Sequence, residues 1–291
     1  VSYILSTKLL RFRAMNEAEL CLWLRRNLKY VRNKLKLALS KDLSQHLMVW
    51  CDLGITFKKI LDSIRVKYAF ELGTGTGFLT KFIATAVKHV VSAEIDPKLL
   101  YAAYKILSDE YNVSLVLGDG IKLIESDSVR ADVIVSNTPF HLTSQLIVSF
   151  IKSKYPYALI TLQREVAERL TASVGSVNYS RLSVLTNLFL EVKKVKTYPP
   201  QAFYPRPEVS ATLVLLKRKS YWSNTYENLE SFLACLFSQR RRKLRRALIQ
   251  CFGKDSLDIV KGLVNDELRV FKLNPEDFLN LYLKFKDLMN M

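Results

Sequence analysis

Leu20, Leu24, Leu28, Val31 and Leu35 recur at three- and four-residue spacing, which predicts one buried face of a helix. Asn16, followed by Glu17 and Glu19, supplies a capping residue and acids at the helix start. The opposite face carries Arg25, Arg26, Lys29 and Lys36. From about residue 44 to 150 the period changes, and short apolar runs alternate with longer helix-like stretches. Tyr68–Leu72, His89–Ile95, Ser114–Leu117 and Ala131–Ser136 read as strands, with helices after Gly77 and over Leu99–Tyr111. Such alternation, with nearly continuous apolar strands, predicts an α/β fold with a mostly parallel sheet covered on both faces. Tyr157–Leu162, Leu188–Val195 and Ser210–Leu216 add strands, the last two joined by the proline-rich Tyr198–Pro207. From about residue 221 the pattern is helical: Leu229–Ile249 forms one or two helices, and Asn274-Pro275-Glu276 opens another. The expected organisation is a basic helical extension (1–43), an α/β domain (44–219) and a small helical C-terminal domain (220–291).

Composition adds a partner class. The 291 residues include 44 Lys and Arg against 27 Asp and Glu, a net charge of +17. That excess favours polyanions, above all nucleic acid. No apolar run approaches the roughly 20 residues that span a bilayer, so no membrane partner is expected. Cys21, Cys51, Cys235 and Cys251 are widely spaced, without a CxxC, and no histidine lies near one at ligand spacing. These features predict no metal site and free, buried thiols in a reducing, cytoplasmic setting. The first 15 residues lack acids and carry Lys8, Arg11 and Arg13; they read either as a targeting peptide or as a leader before an internal start at Met15.

Three strand ends carry candidate chemistry. Gly73-Thr-Gly-Thr-Gly77 follows a strand and precedes a helix, where Gly73 and Gly75 let the backbone approach a ligand. The spacing is GxGxG rather than the GxGxxG of dinucleotide folds. Glu94 closes the next strand, where an acid can accept both hydroxyls of a ribose. Asp119, in Leu-Gly-Asp-Gly after the third strand, is placed to accept from an adenine amino group. Together these signals predict S-adenosylmethionine as the cofactor.

The fourth strand ends in Asn137-Thr138-Pro139-Phe140. If the substrate is the exocyclic amine of adenine, it is a poor nucleophile because its lone pair is delocalised into the ring. The Asn137 side-chain carbonyl and the backbone carbonyl of residue 138 or 139 can accept its two N–H bonds. That arrangement aims the lone pair at a methyl donor and favours tetrahedral nitrogen. Pro139 fixes the backbone, and Phe140 offers a flat face to the base.

With these residues in place, the chain resembles the ribosomal-RNA adenine dimethyltransferases, the KsgA and Erm group. The resemblance spans about residues 41–250 and includes Glu71–Thr80, Glu94-Ile-Asp96, Gln163–Leu170, Tyr179–Val184, Ala202–Val209 and Phe237–Leu248. It implies a Rossmann-like S-adenosylmethionine-dependent methyltransferase domain that dimethylates adenosine N6. Gly73, Glu94, Asp119 and Asn137 would touch the cofactor, and Phe140 and Phe203 would sandwich the base. Where the family has Gly-Gln-Asn-Phe-Leu, this chain reads Ser44-Gln-His-Leu-Met48, so His46 stands at a cofactor-contacting asparagine and Met48 at a backbone contact. Ser180 replaces the usual glycine. The run Arg240-Arg241-Arg242-Lys243-Leu244-Arg245-Arg246 predicts phosphate contacts with RNA.

The expected protein is thus a monomeric methyltransferase acting on small-subunit ribosomal RNA or a pre-ribosomal particle. The alternative is a non-catalytic RNA-binding assembly or organellar transcription factor that retains the fold.

Overall fold

The computed structural model describes residues 15–31, 33 and 46–289. Leu35, Lys36, Ser44 and the leader-like first 14 residues lie outside the described residues. The elements begin α1 (Glu17–Tyr30), β1 (Leu47–Met48), α2 (Cys51–Ile64), β2 (Tyr68–Leu72), α3 (Phe78–Ala84), β3 (His89–Glu94), α4 (Pro97–Ile106), β4 (Val113–Leu117), α5 (Gly120–Glu125) and β5 (Val133–Asn137). They continue as α6 (Thr143–Lys152), β6 (Tyr157–Gln163), α7 (Arg164–Leu170), α8 (Arg181–Phe189), β7 (Leu190–Tyr198), β8 (Phe203–Tyr204), β9 (Ala211–Arg218), α9 (Leu229–Ser238), α10 (Leu244–Phe252), α11 (Ser256–Val260) and α12 (Pro275–Met289).

These elements form two compact units. The first draws on the chain up to Gly120, on Arg130–Pro139 and on Pro200–Glu208; the second takes Ile121–Val129, Phe140–Pro199 and Val209 onward. In the first unit four strands lie in the order β4-β3-β2-β5, all parallel. Their inner residues are apolar and buried: Ala69, Phe70 and Leu72 on β2, Val133, Ile134 and Val135 on β5. Burial on both faces explains why β2 and β5 read as nearly continuous apolar runs rather than as alternation, while the edge strand β4 is only partly buried.

α1 starts as its sequence predicts. Asn16 Oδ1 accepts from the Glu19 amide at 3.0 Å, and the Glu19 carboxylate accepts from the Asn16 amide at 2.8 Å, a reciprocal capping box. Leu20 and Leu24 are buried, Trp23 meets Phe78 edge-on at 6.3 Å, and Lys81 sits 5.8 Å over the Trp23 ring. Cys21 is bonded to Cys51 at the start of α2, and Cys235 on α9 to Cys251 on α10. The expectation of free thiols is therefore corrected. The partners are 30 and 16 residues apart in sequence, a separation that carries no local signature, yet helix packing brings their Cα atoms to 5.3 and 6.0 Å. Closing a loop of that length contributes about 3 kcal/mol by restricting the unfolded chain.

In the second unit the strands run β6-β9-β7 and pair antiparallel, with a register shift between Lys194 and Lys196. The proline-rich segment joins β7 to β9, and these two strands pair antiparallel as neighbours. The basic run does not sit on a continuous helix. Leu229–Ile249 is split, and Arg240–Lys243 occupy the turn between α9 and α10, with Leu244 buried behind them. Phe237 anchors the same turn through ring contacts with Tyr179 at 5.9 Å and Phe278 at 5.3 Å. Among the described residues no helix is long and apolar enough to cross a membrane, and no cluster of three or more His, Cys, Asp or Glu could hold a metal ion.

Candidate active site

β3 and β4 lie to one side of β2 and β5 to the other, so the winding of the first unit reverses between β2 and β5. In α/β folds ligands bind in the crevice outside the strand ends at such a switch point. The glycine turn closes β2 on one side of it, and Asn137 closes β5 on the other. The two ends are tied together where Ser136 Oγ donates to the Leu72 carbonyl at 2.8 Å; on the other side the Gly73 amide ties the turn to β3 by donating to the Ala93 carbonyl at 2.9 Å.

The turn requires glycine for two different reasons. Gly73 has φ +82°, and a Cβ there would meet no atom within 4 Å, so its face is open to a ligand. Gly77 has φ +81°, and a Cβ there would stand 2.7 Å from the Leu107 side chain, so it lets α3 pack closely. Between them the Gly75 amide donates to Glu94 Oε2 at 2.8 Å, while Glu94 Oε1 accepts from the Asp96 amide at 3.0 Å. Burial pushes the Glu94 carboxyl above its ordinary range, against these amide donors, which hold it down. The Gly118 amide donates to the Glu94 carbonyl at 2.9 Å, which sets half-buried Asp119 beside the same edge.

Beneath the turn lies a second acid. Glu71 is fully buried on β2, and its Oε2 accepts from Thr80 and Ser92, each at 2.6 Å. Burial pushes its carboxyl up to about 8, opposed by the Ser92 and Thr80 hydroxyls and assisted by the charge of Glu94. Glu71 Oε1, Thr76 Oγ1 and Thr138 Oγ1 are buried without a hydrogen-bond partner. Buried polar atoms in native folds are normally satisfied. Orphans flanking the open glycine turn therefore fit a polar ligand such as S-adenosylmethionine. The donor set agrees: a buried acid for ribose hydroxyls, a second acid at the next strand end, and open main chain at Gly73.

Asn137 is held by its amide. Nδ2 donates to the His46 carbonyl at 2.6 Å; a carbonyl can only accept, so this bond fixes which atom is nitrogen and turns Oδ1 the other way. His46 in turn precedes a short antiparallel ribbon in which Leu47 faces Tyr204 and Met48 faces Phe203. The Val49 amide extends the ribbon by donating to the Ala202 carbonyl at 2.9 Å. The His46 ring meets the Pro205 carbonyl through Nδ1 at 2.7 Å.

The first unit thus gathers His46, Met48, Gly73, Gly75, Glu94, Asp119, Asn137, Pro139 and Phe203. Phe203 is only 3% exposed, whereas Tyr204 is 56% exposed. A base stacked on Phe203 therefore requires the ribbon around it to give way. Phe140, next in the chain after Pro139, opens the 3-10 turn Phe140–Leu142 of the second unit. Arg240, Arg241, Arg242 and Lys243 also belong to the second unit, and the structure divides them. Arg240 donates to the Val177 carbonyl at 3.0 Å and the Ser176 carbonyl at 3.3 Å, and lies 5.7 Å from the Phe271 ring. Lys243 and Arg245 pair with Glu267. Arg241, Arg242 and Arg246 are exposed and make no ion pair among the described residues.

Sequence reasoning missed two residues. Glu71 reads as one apolar-strand position among others; its signal was a lone acid inside a strand otherwise buried. Ile95 is 65% exposed between Glu94 and Asp96, an apolar side chain presented at the ligand edge. An apolar residue between two acids just past a strand was the available clue.

A parallel α/β unit with a glycine turn and two acids at successive strand ends fits a nucleotide-derived ligand at the switch point. The chain belongs to the ribosomal RNA adenine dimethylase family, whose model matches residues 56–287. A probable ribosomal RNA small subunit methyltransferase A from Pyrobaculum islandicum is 36% identical over 217 residues, 75% of this chain and 84% of that protein. The crystal structure of a dimethyladenosine transferase from Plasmodium falciparum superposes with a TM-score of 0.69 at 29% identity, covering 80% of this chain and 96% of that one. The 23S rRNA methyltransferase ErmE shares the fold, with a TM-score of 0.57 at 23% identity over 79% of this chain and 96% of its own.

Proposed function

We propose that this protein dimethylates adenosine N6 in small-subunit ribosomal RNA, using S-adenosylmethionine. The observation that carries this reading is the fixed Asn137 amide at the switch point, its Nδ2 engaged by the His46 carbonyl. Family membership and small-subunit relatives support the substrate class. S-adenosylmethionine, when bound, supplies an electrophilic methyl. Gly73 and Gly75 offer main chain, Glu94 accepts from the ribose, Asp119 from the adenine amine, and Met48 and Ile95 give apolar walls.

Asn137 Oδ1 and a carbonyl of residue 138 or 139 accept the two N6–H bonds of the target adenine. This orients the nitrogen lone pair outward and disfavours its delocalisation into the ring. No strong base is needed, since the methylated ammonium loses its proton readily to water. Phe140, next in the chain after Pro139, offers a ring to the base once it is unstacked from its helix; Phe203 is buried until its ribbon shifts. Arg241, Arg242 and Arg246 supply phosphate contacts. The Arg240 guanidinium and the Lys243 ammonium serve the second unit itself, the first through its loop bonds and the second through Glu267. The protein acts as a monomer on the RNA or an assembling particle in the cytoplasm. With both cysteine pairs bonded, that location rests on the substrate and not on the thiols.

The test is methyl transfer from labelled cofactor to unmodified small-subunit RNA, with mass mapping of the product nucleotide. Dimethyladenosine is expected; cofactor binding without transfer to RNA or to small-subunit particles would overturn the reading.

A further inference from the structure

His46 stands where the family resemblance places an asparagine that meets the cofactor, but the structure engages it elsewhere. Its backbone carbonyl accepts from Asn137 Nδ2 at 2.6 Å. Its ring Nδ1 lies 2.7 Å from the Pro205 carbonyl, two residues beyond Phe203. Because that carbonyl only accepts, Nδ1 carries the proton in both the neutral and the charged ring. The ribbon register, Leu47 opposite Tyr204 and Met48 opposite Phe203, places the same residue at the root of the strand pair that carries Phe203.

We propose that His46 is a positioning residue for the base-holding loop and not a cofactor ligand. One residue ties both halves of the substrate site: its main chain holds the Asn137 amide that receives N6, and its side chain holds the loop that presents Phe203. The inference rests on the methyltransfer reading above. It also explains the departure from the family pattern. In asparagine Nδ2 lies two bonds beyond Cβ, as Nδ1 does in histidine, so either residue can place an N–H donor at the Pro205 carbonyl. Leucine fills similar space without a donor.

Three forms separate this role from the alternatives: wild type, His46→Leu and His46→Asn. His46→Leu is expected to lower kcat on RNA about tenfold, the effect of one lost, partly buried hydrogen bond. Calorimetric cofactor affinity should stay within twofold and the melting temperature close to wild type. His46→Asn should restore kcat to within about threefold, with a pH–rate profile that overlays the wild type. Hydrogen exchange across residues 203–209 reads the loop without turnover: faster in the Leu variant, restored in the Asn variant.

A tenfold loss of cofactor affinity in His46→Leu, with kcat at saturating cofactor unchanged, would make His46 a cofactor ligand and overturn the proposal. So would a folded Asn variant that behaves like Leu, or exchange indifferent to all three. A wild type that transfers no methyl would instead remove the functional reading, while the exchange experiment would still decide the anchoring of the loop.

Discussion

The switch-point edge of the first unit and the basic turn of the second were both conspicuous in the sequence, and they fared differently on folding. At the edge, two candidate side chains are set by main-chain bonds from nearby turns: Glu94 by the Gly75 and Asp96 amides, Asn137 by the His46 carbonyl. In the turn, residues of one type take opposite roles. Arg240 is drawn inward to the Ser176 and Val177 carbonyls, Lys243 and Arg245 share the single carboxylate of Glu267, and Arg241, Arg242 and Arg246 face solvent. A residue type tied to a strand end carries its own geometry; a run of charge does not say which charges are already engaged.

The largest expected effect tests the first of these regions. Asn137→Ala should lower kcat by about a hundred- to a thousandfold, the scale for losing a fixed polar group that acts in the transition state, with RNA affinity within twofold. Rapid-quench transfer and filter binding measure the two; a residual rate within tenfold of wild type would remove Asn137 from the chemistry.

The basic turn should then split in two. Replacing Arg241, Arg242 and Arg246 together by Ala should weaken RNA binding and make the log affinity–log salt slope shallower by about two, with no change in melting temperature. Equal salt slopes before and after would mean that these three residues do not touch phosphate.

Glu71→Gln tests the acid beneath the site through stability. Burial pushes the folded carboxyl up to about 8, from an ordinary value of 4.5 in the unfolded chain. Between those values the folded state keeps a proton that the unfolded state has released, so stability falls as pH rises, by about 1.4 kcal/mol per pH unit. Below 4.5 and above 8 this contribution is flat. Urea titrations from pH 5 to 8 should show a shallower decline in the variant, with a remainder from Glu94, which burial shifts in the same direction.

The smallest effect belongs to Arg240→Ala. It should cost about 1–2 kcal/mol of stability through its lost carbonyl bonds, with the salt dependence of RNA binding unchanged. A change in salt slope there would return Arg240 to the RNA-contacting set.

Much of the fold was legible along the chain. The capping box at Asn16, the four strands of the first unit and the break into helices after residue 221 all follow from spacing and from local hydrogen-bonding capacity. The glycine turn was legible because positive φ favours glycine, and the placement of Glu94, Asp119 and Asn137 at or just past strand ends because polar residues interrupt apolar runs there. The cysteine pairs were not legible. Cys21 and Cys51, like Cys235 and Cys251, meet only because helices distant in sequence pack side by side.

By itself, then, the sequence determined the kind of element each segment forms and the chemistry available at each strand end, since both depend on neighbours within a few residues. Tertiary structure decided which groups that chemistry meets. It gave the His46 ring to Pro205 and its carbonyl to Asn137, left Glu71 buried with a raised carboxyl, and turned one arginine of the basic run inward. Those outcomes depend on strand order and helix packing, which bring together residues as far apart as His46 and Pro205, and no local pattern encodes such a meeting.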